Sequence, residues 1–154
     1  MRTRSRKFRT NIAFIVLAFL CLNFSSFGQS ENSIAVNIHD SNMEWGECPD
    51  FIPNGCNVAI LQGDPTKNNA DAIFKFQPDT DIPEHWHNSA ERMILIQGEL
   101  TVTYEGEATK NLKAGYYAYG PSKKPHIAKC VGDEPCLLYV GFIKPVDAYP
   151  GNGK

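Results

Sequence analysis

The run His85-Trp86-His87-Asn88-Ser89-Ala90-Glu91, continued by Arg92-Met93-Ile94-Leu95-Ile96-Gln97, decides how this sequence is read. In an extended chain alternate side chains share a face, so His85 and His87 point one way and Trp86 the other. Glu91 has the same parity and rejoins that face if residues 88–90 stay roughly extended. Met93, Leu95 and Gln97 then follow it inward, giving a largely apolar wall beside two imidazoles and a carboxylate. Nitrogen donors plus one hard oxygen suit manganese, iron, nickel, copper or zinc.

Working outward, short segments rich in β-branched and aromatic residues recur at Val58–Gln62, Ala72–Gln77, Arg92–Gln97, Leu100–Tyr104, Tyr116–Tyr119, Ile127–Cys130 and Leu137–Ile143. Turn signals separate them: GDP at 63–65, QPD at 77–79, Gly98, EGE at 105–107, AG at 114–115, GP at 120–121 and GDEP at 132–135. No segment keeps a helical period. The fold class is therefore all-β, an antiparallel sandwich or barrel, and closure into a barrel removes exposed edges. The organisation expected is an N-terminal arm over 29–57 with a weak strand at Ile34–Ile38, a β-barrel domain over 58–145 and a C-terminal tail over 146–154. His126 opens the strand after Pro121-Ser122-Lys123-Lys124-Pro125 and offers a third imidazole to the same interior.

These residues resemble the two motifs of the cupin superfamily. The first family motif is a glycine, five residues, HxH, three or four residues, Glu, six residues and Gly; His85, His87, Glu91 and Gly98 keep that spacing, and Asp79 stands at the leading glycine. The second is a glycine, five residues, Pro-x-Gly, two residues, His, three residues and Asn; Gly115, Pro121 and His126 fit, with Lys123 at the glycine and Cys130 at the asparagine. The resemblance covers about Ala72 to Ile143. It implies a jelly-roll barrel holding one divalent transition metal ion on His85, His87, Glu91 and His126. The region around His85 to Glu91 is also similar to small secreted cupins related to the cupin half of ChrR-type anti-sigma factors.

The N-terminus reads as a leader. Arg2, Arg4, Arg6, Lys7 and Arg9 precede the apolar run Ile12–Leu22, which is too short for the ~20 residues of a membrane span. Ser26 and Gly28 supply the small-x-small spacing of a signal peptidase site, so a signal peptide over 1–28 and cleavage after Gly28 are expected, with an uncleaved anchor as the competing reading. Secretion or a periplasmic location follows, with no membrane attachment for the mature chain. Cys21 falls inside the apolar run, leaving Cys48, Cys56, Cys130 and Cys136. Of the three pairings open to them, proximity favours Cys48 with Cys56 and Cys130 with Cys136. Cys130 has the inward parity of His126, and a buried free thiol near the metal is the alternative. The cysteine spacings are too long for a thiolate zinc knuckle.

A net charge of −2 over 154 residues argues against a nucleic-acid partner. A small organic molecule is the expected ligand, and a homodimer is admitted. His39 lies outside the motifs and reads as a solvated residue. Tyr104, Tyr116, Tyr117 and Tyr119 are assigned mostly to core packing rather than to a substrate cavity. Arg92, Lys123 and Lys124 would steer an anion if they reached the mouth, although a solvated face suits the lysines better. Glu84 has outward parity and Glu99 sits in a turn, so no catalytic base is named. Three function classes stay open: a metal-dependent oxygenase, decarboxylase or isomerase, a non-catalytic periplasmic binder or sensor, and a dimer-forming β protein with a vestigial site.

Overall fold

The computed structural model describes residues 32–52 and 54–151, so the expected signal peptide lies outside the described residues. Among these there is no helix, and eleven strands follow one another: β1 Gly46–Glu47, β2 Cys56–Gln62, β3 Ala70–Phe76, β4 Asp81–Trp86, β5 Glu91–Gln97, β6 Glu99–Tyr104, β7 Lys110–Lys113, β8 Tyr117–Gly120, β9 His126–Val131, β10 Cys136–Phe142 and β11 Tyr149–Pro150. All pairings are antiparallel. They build a six-stranded sheet in the order β1-β2-β3-β10-β5-β8 and a five-stranded sheet in the order β11-β4-β9-β6-β7. The architecture is thus a two-sheet jelly roll, with no continuous ladder closing it into a barrel.

The core fills the space between the sheets. Met93, Leu95, Leu138, Val140 and Phe142 from the first meet Ile82, Leu100, Val102 and Tyr104 from the second. Burial of this apolar surface is the main favourable term in the fold. Gly98 lies at the tight junction of β5 and β6 with φ 81°, and a Cβ there would come within 2.8 Å of the Pro135 carbonyl oxygen. No other residue fits that turn without displacing backbone.

The seven expected strands correspond to β2, β3, β5, β6, β8, β9 and β10. The expected strand at Ile34–Ile38 is absent. Ile38 instead joins Met43 and Trp45 over a second apolar patch, Ala59, Ile73 and Leu137, on the outer face of the larger sheet. β4 and β7 escaped composition, because β4 carries Pro83 among acidic residues and β7 has one apolar side chain. Pro83 is tolerated because the β4–β9 register shifts between Ile82 and His85.

Two expectations about side chains are corrected. Tyr104 is buried, but Tyr116, Tyr117 and Tyr119 are 52%, 61% and 53% exposed rather than core. The last two occupy outward positions on β8, an edge strand with β5 alone beside it. Gln97 does not continue the inward row, because the β5–β10 register shifts at Leu137/Leu138. It faces the outer groove lined by Ile38, Trp45 and Leu137.

Candidate metal centre

The inner face of the smaller sheet aligns three rings across adjacent strands. His85 of β4 is the direct partner of His126 on β9, and His126 is the direct partner of Tyr104 on β6. Ring centroids are 4.1 Å apart for His85 and His126 and 4.7 Å apart for His126 and Tyr104. The bulge in β4 makes this row: Pro83 and Glu84 are both exposed, and His85 returns to the face of Ile82. His87 lies just beyond the end of β4, its ring edge-on to His85 at 4.9 Å.

Glu91 enters from the opposite sheet, where it pairs with Gly120 of β8 and Phe142 of β10. Its Oε1 is 3.3 Å from His87 Nε2 and its Oε2 is 3.8 Å from His126 Nε2. His85, His87, Glu91 and His126 are all buried.

Each imidazole is oriented by its own backbone acceptor. His85 Nδ1 donates to the Pro83 carbonyl at 2.7 Å and His126 Nδ1 to the Lys124 carbonyl at 3.1 Å, each two residues back. His87 Nδ1 donates to the carbonyl of Asp147, sixty residues away. A carbonyl only accepts, so each ring carries its proton on Nδ1 and leaves an Nε2 lone pair facing inward. Ligand atoms of the three histidines lie within 4.8 Å of one another. His87 Nε2 is buried without a hydrogen-bond partner, since its approach to Glu91 is close but lacks hydrogen-bond geometry. Oriented lone pairs around a shared point, with a carboxylate beside them, fit a divalent transition metal ion.

Burial favours the neutral forms of His85, His126 and Glu91. Burial, then the neighbouring His87, pulls His85 down to about 4 against the Pro83 hydrogen bond. Burial and the nearby His85 bring His126 down to about 3. Burial raises Glu91, partly offset by His87. Tyr104 is raised well above the usual phenol range by burial, then by the charges of Glu91 and Glu107.

An interior cavity of about 60 Å³ adjoins the site. Tyr104, His85, His126 and Glu91 line one end, and Phe76, Met93, Leu112, Leu138 and Val140 line much of the rest. Arg92 is exposed, with the parity opposite to Glu91 and Met93. Glu84 is exposed, Glu99 pairs with Lys113 at 3.3 Å and Lys124 pairs with Glu107, so none of the three carboxylates faces the imidazoles.

Sequence reasoning missed the residues that tie the C-terminal segment to this centre. Ser89 Oγ, 1% exposed, accepts from the backbone amides of Ile143 and Lys144 at 2.9 and 3.1 Å. β11 pairs with β4, and Tyr149 stacks on Trp86 at 4.5 Å. The segment assigned to a tail therefore includes a strand beside the histidines. Asn88 and Ser89, between His87 and Glu91, were the available signal.

Residues 72–142 match the cupin domain family, and the two jelly-roll sheets with inward histidines and a glutamate on facing strands agree with that match. No curated protein sequence matches it. Among solved structures, KdgF from Halomonas sp. aligns with a TM-score of 0.54 at 19% identity, over 66% of this chain and 88% of that one. The DMSP lyase DddQ from Ruegeria pomeroyi DSS-3 aligns with a TM-score of 0.62 at 19% identity, over 73% of this chain and 64% of that one. The Lactobacillus farciminis oxalate decarboxylase aligns with a TM-score of 0.58 at 24% identity, over 70% of this chain but 33% of that one. At such identities the likeness is one of fold.

Proposed function

We propose that this chain is a secreted or periplasmic metal-dependent cupin enzyme acting on a small organic molecule as an oxygenase, decarboxylase or isomerase. His85, His87, Glu91 and His126 would hold one divalent ion: manganese, iron, nickel, copper or zinc. The carrying observation is the set of buried imidazoles whose Nδ1 atoms are all tied to backbone carbonyls, leaving their Nε2 lone pairs inward beside Glu91. Such an ion supplies Lewis-acid or redox chemistry at its open positions. The chain's own part is to orient the donors, exclude bulk water with the apolar wall and admit a ligand of few atoms into about 60 Å³. That DddQ is a lyase and the Lactobacillus protein a decarboxylase supports chemistry on small molecules within this fold. The Cys48–Cys56 and Cys130–Cys136 bridges support an oxidising compartment.

The test is metal analysis of the purified protein, reloading with individual ions, and dioxygen-uptake and product screens over small acids and phenols. Ion-dependent turnover supports the enzyme. Tight ligand binding without turnover replaces it with a non-catalytic binder.

A further inference from the structure

Tyr104 is 2% exposed and its hydroxyl has no hydrogen-bond partner. A buried, unsatisfied hydroxyl forfeits its hydration without return, so a native fold retains one where something else completes it. Its place is specific. Tyr104 continues the row His85–His126 by one strand, and its ring lies 4.7 Å from that of His126. Its hydroxyl and Glu91 Oε2 flank Gly120, where an added Cβ would be 2.4 Å from Tyr104 Oη and 2.9 Å from Glu91 Oε2. The missing side chain at Gly120 thus lets a phenol from one sheet and a carboxylate from the other approach the same spot. Both line the polar end of the cavity, and the remaining wall is largely hydrocarbon.

This arrangement selects a ligand. With three neutral imidazoles and one carboxylate, a divalent ion would leave a net charge of +1, which a single anion balances in a site of low dielectric. Tyr104 is protonated at neutral pH and offers one donor. We propose that Tyr104 is a ligand-contacting, specificity-determining residue that donates its hydroxyl hydrogen bond to an oxygen of a small monocarboxylate, whose short apolar tail lies among Met93, Leu112, Leu138 and Val140. The proposal rests on the metal-site reading above and adds the ligand class to it.

The experiment uses the full mature chain loaded with one ion, Tyr104→Phe loaded likewise, and both metal-free proteins. Metal stoichiometry is measured first. Calorimetric titration then compares formate, acetate, propionate, butyrate and hexanoate with the corresponding alcohols. The loaded parent binds the short acids over the alcohols and loses affinity toward hexanoate. Tyr104→Phe keeps the ring against His126 and the full metal content, but binds the acids about ten-fold or more weakly, the effect of one hydrogen bond to a charged acceptor. Equal acid affinity in Tyr104→Phe overturns the proposal, as does a loaded parent that binds acids no better than alcohols. A parent that takes up no ion overturns the metal-site reading and this inference with it. Normal ion uptake without acid discrimination overturns this inference alone.

Discussion

Asn88 clasps Asp147. Its backbone amide donates to one carboxylate oxygen at 2.9 Å and its side-chain amide to the other at 2.7 Å, and the backbone carbonyl of Asp147 accepts from His87 Nδ1. Of the three imidazoles, His87 alone takes its Nδ1 acceptor from a distant part of the chain. Its aim depends on the strap from Phe142 to β11 staying in place.

Asp147→Ala removes both clasping bonds and leaves the His87 side chain intact. We expect metal affinity to fall by about ten-fold or more, the usual cost of losing support around a ligating histidine, with little change in far-ultraviolet dichroism. Competition against a chromophoric chelator measures it. Parental affinity in Asp147→Ala would mean that the strap does not orient His87.

Asp79 and Lys123 stand where the family motifs carry glycine, and both lie in the left-handed region, with φ of 60° and 61°. The backbone keeps the glycine conformation at the cost of strain on an ordinary side chain. The Lys123 amide also donates to the His87 carbonyl at 2.7 Å, so the turn serves the centre. Lys123→Gly is expected to raise stability by about 0.5–1 kcal/mol, net of the greater freedom of the unfolded chain, with metal affinity unchanged. Urea denaturation checks it, and a less stable variant would show that the lysine side chain contributes more than its backbone strain costs.

Much of the fold was legible because apolar strands and turn residues are local signals. The inward parity of Glu91, Met93 and Leu95 also follows from the strand period. What remained hidden depends on partners distant in sequence. Tyr117 and Tyr119 are exposed because β8 lies at a sheet edge, which its residues do not announce. Gln97 turns outward at a register shift set by Leu137 and Leu138. Asp147 meets His87 through its backbone carbonyl, a group every residue carries, and its carboxylate reaches Asn88 only across a long stretch of chain, so its identity gave little warning.

The bridges Cys48–Cys56 and Cys130–Cys136 span 8 and 6 residues, with Cα separations of 5.6 and 5.8 Å. This is the pairing favoured by proximity, and it places Cys130 in a bridge rather than as a free thiol beside the metal. Short loops of this kind contribute about 2–3 kcal/mol each. Thiol titration of the mature oxidised protein should find none of these four free, and replacing Cys130 and Cys136 together with serine should lower the urea midpoint accordingly. Four reactive thiols would contradict the bridges and count against the proposed secreted location.

Glu91→Gln keeps shape and packing but removes the one carboxylate beside the imidazoles, and His87→Ala removes a donor. Both should lose metal affinity by orders of magnitude, because a charge facing a divalent cation is scarcely screened in a buried site. Folding should survive, since the apolar strands dominate stability. If both variants retain the ion with parental affinity, these residues do not form a metal site and a vestigial jelly roll becomes the better description.

The metal-free chain should lose stability on mild acidification, and the window identifies the cause. His85 and His126 are held at about 4 and about 3 in the fold, below the ordinary imidazole value of 6.5. The unfolded state therefore binds more protons below that value, so their contribution is complete above about pH 6.5 and is lost as pH falls through the folded values. Glu91, raised by burial, acts in the opposite sense and offsets part of the loss. Asp64 and Glu107, lowered to about 2 by hydrogen bonds to Thr66 and Lys67 and to Lys110 and Lys124, destabilise only in stronger acid. Urea denaturation between about pH 7 and about pH 5 thus separates the buried site from these two carboxylates, and we expect a net loss on the order of 2 kcal/mol that is smaller in His126→Gln. A flat profile over that window in the metal-free parent would mean that these imidazoles are already solvated or protonated in the folded chain.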